Sequence, residues 1–514
     1  MSHPPIGIDL GTTFSALAVI NTAGSAEIVA NADGNRLTAS AVYFEGGPTD
    51  KPVVGANALA AAGGFPDRVV RSMKRHMGDP DWRFAVDDAE YSAVDISSLI
   101  LKKVVQDAAQ TLGPLQHAVI TVPAYFGQVR RDATKQAAEQ AGINVLELIN
   151  EPTSAALAYA QAGQAQGKVL VYDFGGGTFD VSLVEINSET DVRVIASEGD
   201  PALGGDDLDD ALAGHFDDLF AAEHSVSLLG SGDEAVRHHL KTASEQAKKT
   251  LSTLTQVAGI PLNWANNFLS VSITRDEFEG LIRNKITQTE MLVELVLSEA
   301  GVKPEELDDI LLVGGSTRIP AVTQMLEKKL ARKPRASINA DEAVALGAAI
   351  QAGRIMQEQG LYDAPGMADV VLQDVTNFSY GTIVISAESG ELINSIIIPK
   401  NTPIPHEATE SFYTVYKDQP GIDCTVTQGE GKDPEFIEVM EKQELSLPPG
   451  RPAGCEVTVT FAYDASQIMS AKFLDVESDR QADMNIRLKG SKDTSGRDSD
   501  VDLQDDDGLD DLLI

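Results

Sequence analysis

Two short stretches of the chain set a carboxylate beside a glycine turn and a threonine hydroxyl. Ile6–Thr13 reads IGIDLGTT, and Val171–Asp180 reads VYDFGGGTFD. A third stretch, Ile310–Pro320, reads ILLVGGSTRIP and has no carboxylate. A glycine turn carries no Cβ, so backbone N–H groups can converge on an anion. The Thr hydroxyls add donors. Asp9 and Asp173 alone repel a phosphate. A divalent cation between them and the phosphate removes that conflict, and Mg²⁺ keeps several of its waters when held this way. The chemistry indicated is a grip on the phosphates of a metal-bound nucleotide. One GGGT turn is equally well a plain tight turn. Two matched Asp–Gly–Thr turns and a GGSTR favour the nucleotide.

Such turns need stiff supports. Ile6–Ile20, Val169–Ile186 and Ile310–Pro320 read as three strand–turn–strand units. Asp9 and Asp173 hold equivalent places in the first two, which predicts an internal duplication and a pair of similar α/β lobes. Helical patterns lie between, at 128–142, in EAVRHHLKTASEQAKKTLS and in DEAVALGAAIQAGRIM. Strands alternating with helices indicate an α/β architecture. Glu245, Lys248, Lys249 and Ser252 are spaced 0, 3, 4 and 7 and share a helix face. That stripe is either solvated surface or one wall of an adenosine site, and the pattern alone leans to surface.

Composition sets the frame. A chain of 514 residues implies about two to four domains. No apolar run reaches the roughly 18 residues of a membrane span, and MSHPPIGIDL has no signal-peptide pattern, so a cytoplasmic protein is expected. Cys424 and Cys455 have no metal-ligand spacing and read as buried thiols. The eight His residues show no metal motif. A net charge of −38 argues against nucleic-acid binding. Residues 491–514 carry nine Asp against one Lys and one Arg, and are expected to be a disordered acidic tail. Its end, GLDDLLI, sets Leu509, Leu512, Leu513 and Ile514 among aspartates. It reads as a solubilising tail, with a partner motif or a visitor to the chain's own groove as alternatives.

The expected order is a two-lobed α/β domain at 1–360, a linker at 361–377, a β-sandwich at 378–490 and the tail. In the sandwich, YGTIVIS, LINSIIIP, SFYTVY, IDCTVTQG, CEVTVTFAY and DMNIRLKG read as strands.

IGIDLGTT, VPAYF, INEPTSAALAY, YDFGGGTFDVS, GDPALGGDDLD, VGGSTRIP and INADEAVALGAAIQ resemble, in order, the signature segments of DnaK-type heat-shock protein 70 chaperones. The resemblance runs from Ile6 to about Gly490. It implies an actin-like two-lobed ATPase domain followed by a peptide-binding β-sandwich. Asp9, Thr12, Thr13, Gly176, Gly177 and Thr178 match phosphate and metal positions, with Phe14 beside them. Asp173 and Asp180 match ion-associated carboxylates. Lys74 matches the catalytic lysine that places the attacking water, and Glu151 the acid linking the metal site to domain coupling. Glu245, Lys248, Lys249, Ser252, Gly315, Ser316, Arg318 and Asp341 match the adenosine pocket. Pro123 and Arg131 match a nucleotide-sensing pair. Ile385 and Val415 match arch positions over the peptide, and Phe412, Ile422 and Cys424 pocket positions; apolar residues in short strands are also ordinary sandwich core. The implied cofactors are ATP or ADP, Mg²⁺ and K⁺. The implied partners are extended client polypeptides, a J-domain cochaperone and a nucleotide exchange factor.

The chain departs from the pattern in four places. Residues 77–92 are a shortened segment, closer to the HscC-like branch. No helical lid follows the sandwich, so faster peptide release is expected. The linker reads VVLQD, and Gln373 should weaken its docking because a buried amide without a partner is costly; Asp374 is kept. Glu147 replaces an arginine and should repel an acidic J-domain, unless the change is drift at an exposed position. An ATP-regulated chaperone is the leading reading. A nucleotide-dependent adaptor for one dedicated partner and an actin-fold small-molecule kinase are the alternatives.

Overall fold

A computed structural model describes residues 3–46, 51–335, 339–362, 370–465 and 467–485. Residues 486–514, including the acidic tail, lie outside the described residues. The chain divides into two compact units. The first takes in Met1–Phe126 and Ala133–Leu372, the second Gly127–Asp132 and Gln373–Ile514.

The first unit holds two sheets of one plan. In one sheet the order is Asn144–Asn150, His117–Val122, Ile6–Asp9, Phe14–Ile20 and Ala26–Ile28. In the other, Asp309–Val313, Gly167–Phe174, Phe179–Ser188 and Asp191–Asp200 run side by side. Each sheet sets its hairpin beside a parallel strand, with Asp9 opposite Thr121 and Asp173 opposite Val313. Asp9 is the last residue of the first strand of its hairpin and Asp173 the last but one of its own, close to the equivalence the internal repeat predicts. The central strands read as continuous apolar runs because helices cover both faces. Leu170, Tyr172, Phe174, Phe179, Val181 and Leu183 are all fully buried.

The third Gly-rich unit differs from expectation. Strand Asp309–Val313 passes through a 3₁₀ turn, Gly315–Arg318, into helix Pro320–Leu330, not into a second strand. Pro320 suits the first helical position, where its missing N–H costs nothing. Val322, Leu326 and Leu330 then fall four apart and are buried, which is a helical period.

Two helices cross with their backbones in close approach at Gly347. A Cβ on Gly347, in Ala343–Glu358, would lie 1.7 Å from the Ser154 carbonyl oxygen of Glu151–Gln161. The Ser154 hydroxyl donates to the Val344 carbonyl at 2.6 Å. The same helix lies on the first hairpin, where a Cβ on Gly7 would meet the Ala349 nitrogen at 2.0 Å.

The second unit is a sandwich of two four-stranded sheets. One runs Leu392–Ile398, Tyr380–Ile385, Gly421–Gln428, Glu438–Ser446, the other His406–Tyr413, Glu456–Tyr463, Met469–Asp475, Arg480–Asn485. Both contribute to one core, including Tyr380, Val426, Phe461 and Phe473. Two strands carry little sequence signal. Glu438–Ser446 is an edge strand with one buried residue, Leu445, and its charges suit an edge. Met469–Asp475 alternates, but its last inward residue is Asp475, paired with Arg451. Cys424 and Cys455 are buried free thiols. Among the described residues, no helix is long and apolar enough to cross a membrane.

Candidate functional site

The first unit contains a cleft of about 610 Å³. Its floor is made by the two hairpin turns, set tip to tip. A Cβ on Gly176 would lie 2.1 Å from Thr13 Oγ1, and one on Gly177 would lie 2.7 Å from Thr12 Oγ1. Only glycine permits this approach. The cleft is lined by Asp9, Thr12, Thr13 and Phe14 from the first hairpin, and by Asp173, Gly176 and Thr178 from the second. Gly177 packs against Thr12 behind that lining.

Lys74 enters from a single 3₁₀ turn, Met73–His76, and is almost wholly buried. Its ammonium donates to Glu151, the first residue of helix Glu151–Gln161. The carboxylates around it are crowded. Burial raises Asp9 to about 7, helped by the Glu151 charge and opposed by Lys74. Burial, then the charges of Glu151, Asp180 and Asp9, lifts Asp173 well above the usual carboxylate range. Burial works against the charge of Lys74, but Glu151 and Asp9 outweigh it, so its pKa is above the ordinary value. Asp180 is buried just beyond and accepts from the Tyr125 N–H at 3.1 Å. One lysine does not neutralise this cluster, so a divalent cation fits it. Among the described residues no three acid, His or Cys groups stand close enough to ligate a metal ion together. A cation held largely through its waters fits these donors better than a dehydrated one.

The opposite wall comes from helix Glu234–Leu251 and the Gly315–Arg318 turn. Glu245, Lys248, Lys249 and Ser252 all line the cleft, so the polar stripe forms part of its wall, with Lys249 still exposed. Lys249 pairs with Glu245 at 2.6 Å, and Arg318 with Asp341 at 2.6 Å. Burial opposes the Glu245 charge, but Lys249 and Lys248 hold its carboxyl below the usual value. The Lys248 ammonium turns inward to the Gly205 carbonyl at 2.9 Å and Asp209 at 2.8 Å. Burial raises Asp209 to about 6, against the pull of Lys248. Gly315 and Ser316 complete this wall, and Ser316 Oγ donates to the Gly175 carbonyl at 2.8 Å.

Several lining residues had no role in the sequence reading: Leu37, Asp206, Asp209, Thr253 and Ile319. The only usable signal was GGDDLD, two glycines ahead of acids at a helix start. Gly204 and Gly205 there pack against the second turn, the first with a would-be Cβ 2.5 Å from the Gly176 carbonyl oxygen.

Other expected residues lie away from the cleft. Pro123 follows strand His117–Val122, and Arg131 is fully buried on helix Gln128–Gln140. Glu147 is not an exposed charge, contrary to the drift reading. It accepts two hydrogen bonds from Gln351 Nε2, at 3.1 and 3.0 Å, and stands 4.0 Å from Arg354. Its charge is absorbed within the fold. The shortened 77–92 segment closes in a small hairpin, Phe84–Val86 with Ala89–Tyr91, whose Phe84 and Tyr91 rings meet Phe44. On the linker, the Val371 N–H donates to the Thr190 carbonyl, and Leu372 packs on Val119, Ile149 and Ile355. Gln373 is half-buried and Asp374 buried.

In the second unit, Ile422 and Cys424 are core residues, and Phe412 packs on that core. Val415 is exposed, and Ile385 ends its strand half-buried. Beside them Thr382 and Thr425 share a buried hydrogen bond, and Thr427 donates to Asn394 at 2.6 Å.

Residues 5–505 match the sequence model of the family described as Hsp70 protein. The "Chaperone protein DnaK" of Thermotoga neapolitana is 39% identical over 496 residues, covering 94% of this chain and 80% of the relative. The protein of the same name from Thermotoga petrophila has the same identity and coverage.

Proposed function

This chain belongs to the Hsp70 family, and from that premise we propose how its own residues do the work. It is an ATP-dependent chaperone of the Hsp70 type, an ATPase that binds unfolded polypeptides. The adaptor and kinase readings are not favoured by a relationship that spans nearly the whole chain.

Thr12, Thr13, Gly176, Gly177 and Thr178 hold the ATP phosphates. Glu245, Lys248, Lys249, Ser252, Gly315, Ser316, Arg318 and Asp341 hold the adenosine, with Phe14 beside the phosphates. Asp9, Asp173 and Asp180 would hold a hydrated Mg²⁺ and accompanying K⁺. When bound, Mg²⁺ supplies charge neutralisation for the phosphates. The γ-phosphoryl group passes to water as its bond to the β-phosphate oxygen breaks. Little covalent chemistry falls to the protein; position and charge do the work. Lys74, kept protonated and fixed by Glu151, orients the water and meets charge developing on the phosphoryl oxygens.

In the sandwich, Ile385 and Val415 stand over the client groove, with Phe412, Ile422 and Cys424 as the packed apolar wall behind it, and the backbone takes an extended segment. The nucleotide state passes through Pro123, Arg131 and Asp374. A J-domain cochaperone and an exchange factor act on the first unit.

The observation that carries this reading is the tip-to-tip pair of glycine turns closing on Asp9, Asp173 and Lys74. The test is single-turnover ATP hydrolysis by wild type and Lys74→Ala. Loss of turnover with ATP binding retained is expected; an unchanged rate removes Lys74 from the mechanism.

A further inference from the structure

The residue after Lys74 points the other way, and its contacts concern the phosphate turn. Arg75 Nε donates to the Gly177 carbonyl at 3.0 Å. One terminal nitrogen donates to the Ala202 carbonyl at 3.0 Å and pairs with Asp207. On the other side of Lys74, Ser72 Oγ donates to Asp206 at 2.7 Å. Lys74 is thus bracketed by two side chains anchored on the first turn of helix Gly205–His224.

That same helix end holds the second phosphate turn. The Gly205 N–H donates to the Gly175 carbonyl at 3.0 Å and the Asp206 N–H to the Gly176 carbonyl at 2.8 Å. Arg75 takes the third carbonyl in the series, Gly177. In a trans peptide the carbonyl and the next N–H point in opposite directions. Three carbonyls held on one side therefore turn the N–H groups of Gly176, Gly177 and Thr178 to the other side. Thr178 lines the cleft. Among the described residues, Arg75 is the only side chain holding one of these three carbonyls that also belongs to the lysine-bearing turn.

We propose that Arg75 is a positioning residue for hydrolysis. It fixes the Thr178 N–H toward the phosphate and locks Lys74 in register with it. This inference rests on the reading of the cleft as the ATP site with Lys74 in it. The guanidinium fork suits the task, because two carbonyls and a carboxylate are met by one rigid plane, which a lysine cannot reproduce.

The experiment is single-turnover hydrolysis with ATP affinity measured separately, on Arg75→Ala, on Arg75→Met (which keeps the apolar stem), and on Lys74→Ala. Arg75→Ala and Arg75→Met should hydrolyse about 100-fold more slowly, the scale of a small misplacement in an active site, with ATP affinity little changed. Millimolar guanidinium should restore part of the rate in Arg75→Ala and none in Lys74→Ala. Wild-type turnover in a folded Arg75 variant overturns the proposal. So does a slow variant that guanidinium does not rescue, or one whose loss lies wholly in ATP affinity. Wild-type turnover in Lys74→Ala sinks the underlying reading of the site instead.

Discussion

Lys74 is a cation enclosed by acids, and its removal unbalances more than one of them. Lys74→Ala should lower hydrolysis by at least about 100-fold, the scale for losing a transition-state donor, while leaving nucleotide binding measurable by fluorescence titration. Asp209 offers a pH signature. Its pKa in the fold is about 6, above the ordinary 3.8. A raised carboxyl favours the fold while protonated, and that contribution is lost as pH rises from about 4 through 6. Asp209→Asn lacks this loss. Urea midpoints should therefore move in favour of the variant across that window; parallel wild-type and variant profiles would refute the assignment. That the two turns line one cleft was legible in the sequence, because Asp, Gly and Thr recur at matched spacing. Arg75 was not. Its partners at Gly177, Ala202 and Asp207 are more than 100 residues away, and an arginine beside a lysine carries no local pattern.

One hairpin meets the Thr12 and Thr13 side chains of the other through bare glycine, a joint with little room for an added carbon. Gly176→Ala would set a methyl 2.1 Å from Thr13 Oγ1. Either the Thr13 hydroxyl leaves its place or the turns part, and ATP affinity should fall at least about tenfold, about 1.4 kcal/mol; an unchanged Kd would show that the joint yields freely. Both hairpins could be read from sequence because each strand is a plain apolar run. The third unit misled because ILLV leads into the same glycines, while the element beyond the turn is set by Pro320 and a four-residue apolar spacing. Glu147 teaches a similar lesson. From sequence it is a reversed charge; in the fold it is the acceptor for Gln351, beside Arg354. Glu147→Arg should therefore place two cations together. A lower melting temperature and no gain in J-domain stimulation are expected, and a gain would restore the exposed-charge reading.

At the scale of the whole molecule, the question is whether ATP in one unit alters client binding in the other. The release rate of a fluorescent apolar peptide, measured with ADP and with ATP, addresses it. Faster release in ATP is expected, and Gln373→Leu should enlarge the difference by removing an amide from the half-buried linker strand; no change would mean the amide is harmless there. The change of texture after Gly360 precedes the boundary between the units at Leu372/Gln373, and nothing in the sequence marks Gly127–Asp132 as part of the second. The place of Val371 and Leu372 could not be read from sequence either, because their partners, Thr190 and the Val119–Ile355 cluster, come from distant strands and a helix. That linker strand has a practical corollary. A protease needs several residues of free, extended backbone, and here the Val371 N–H is spent on Thr190 and the Leu372 side chain is half-buried. Cutting at this point must wait for the strand to lift away. Scission rate then becomes a clock for how often it does so, readable on a gel without any label.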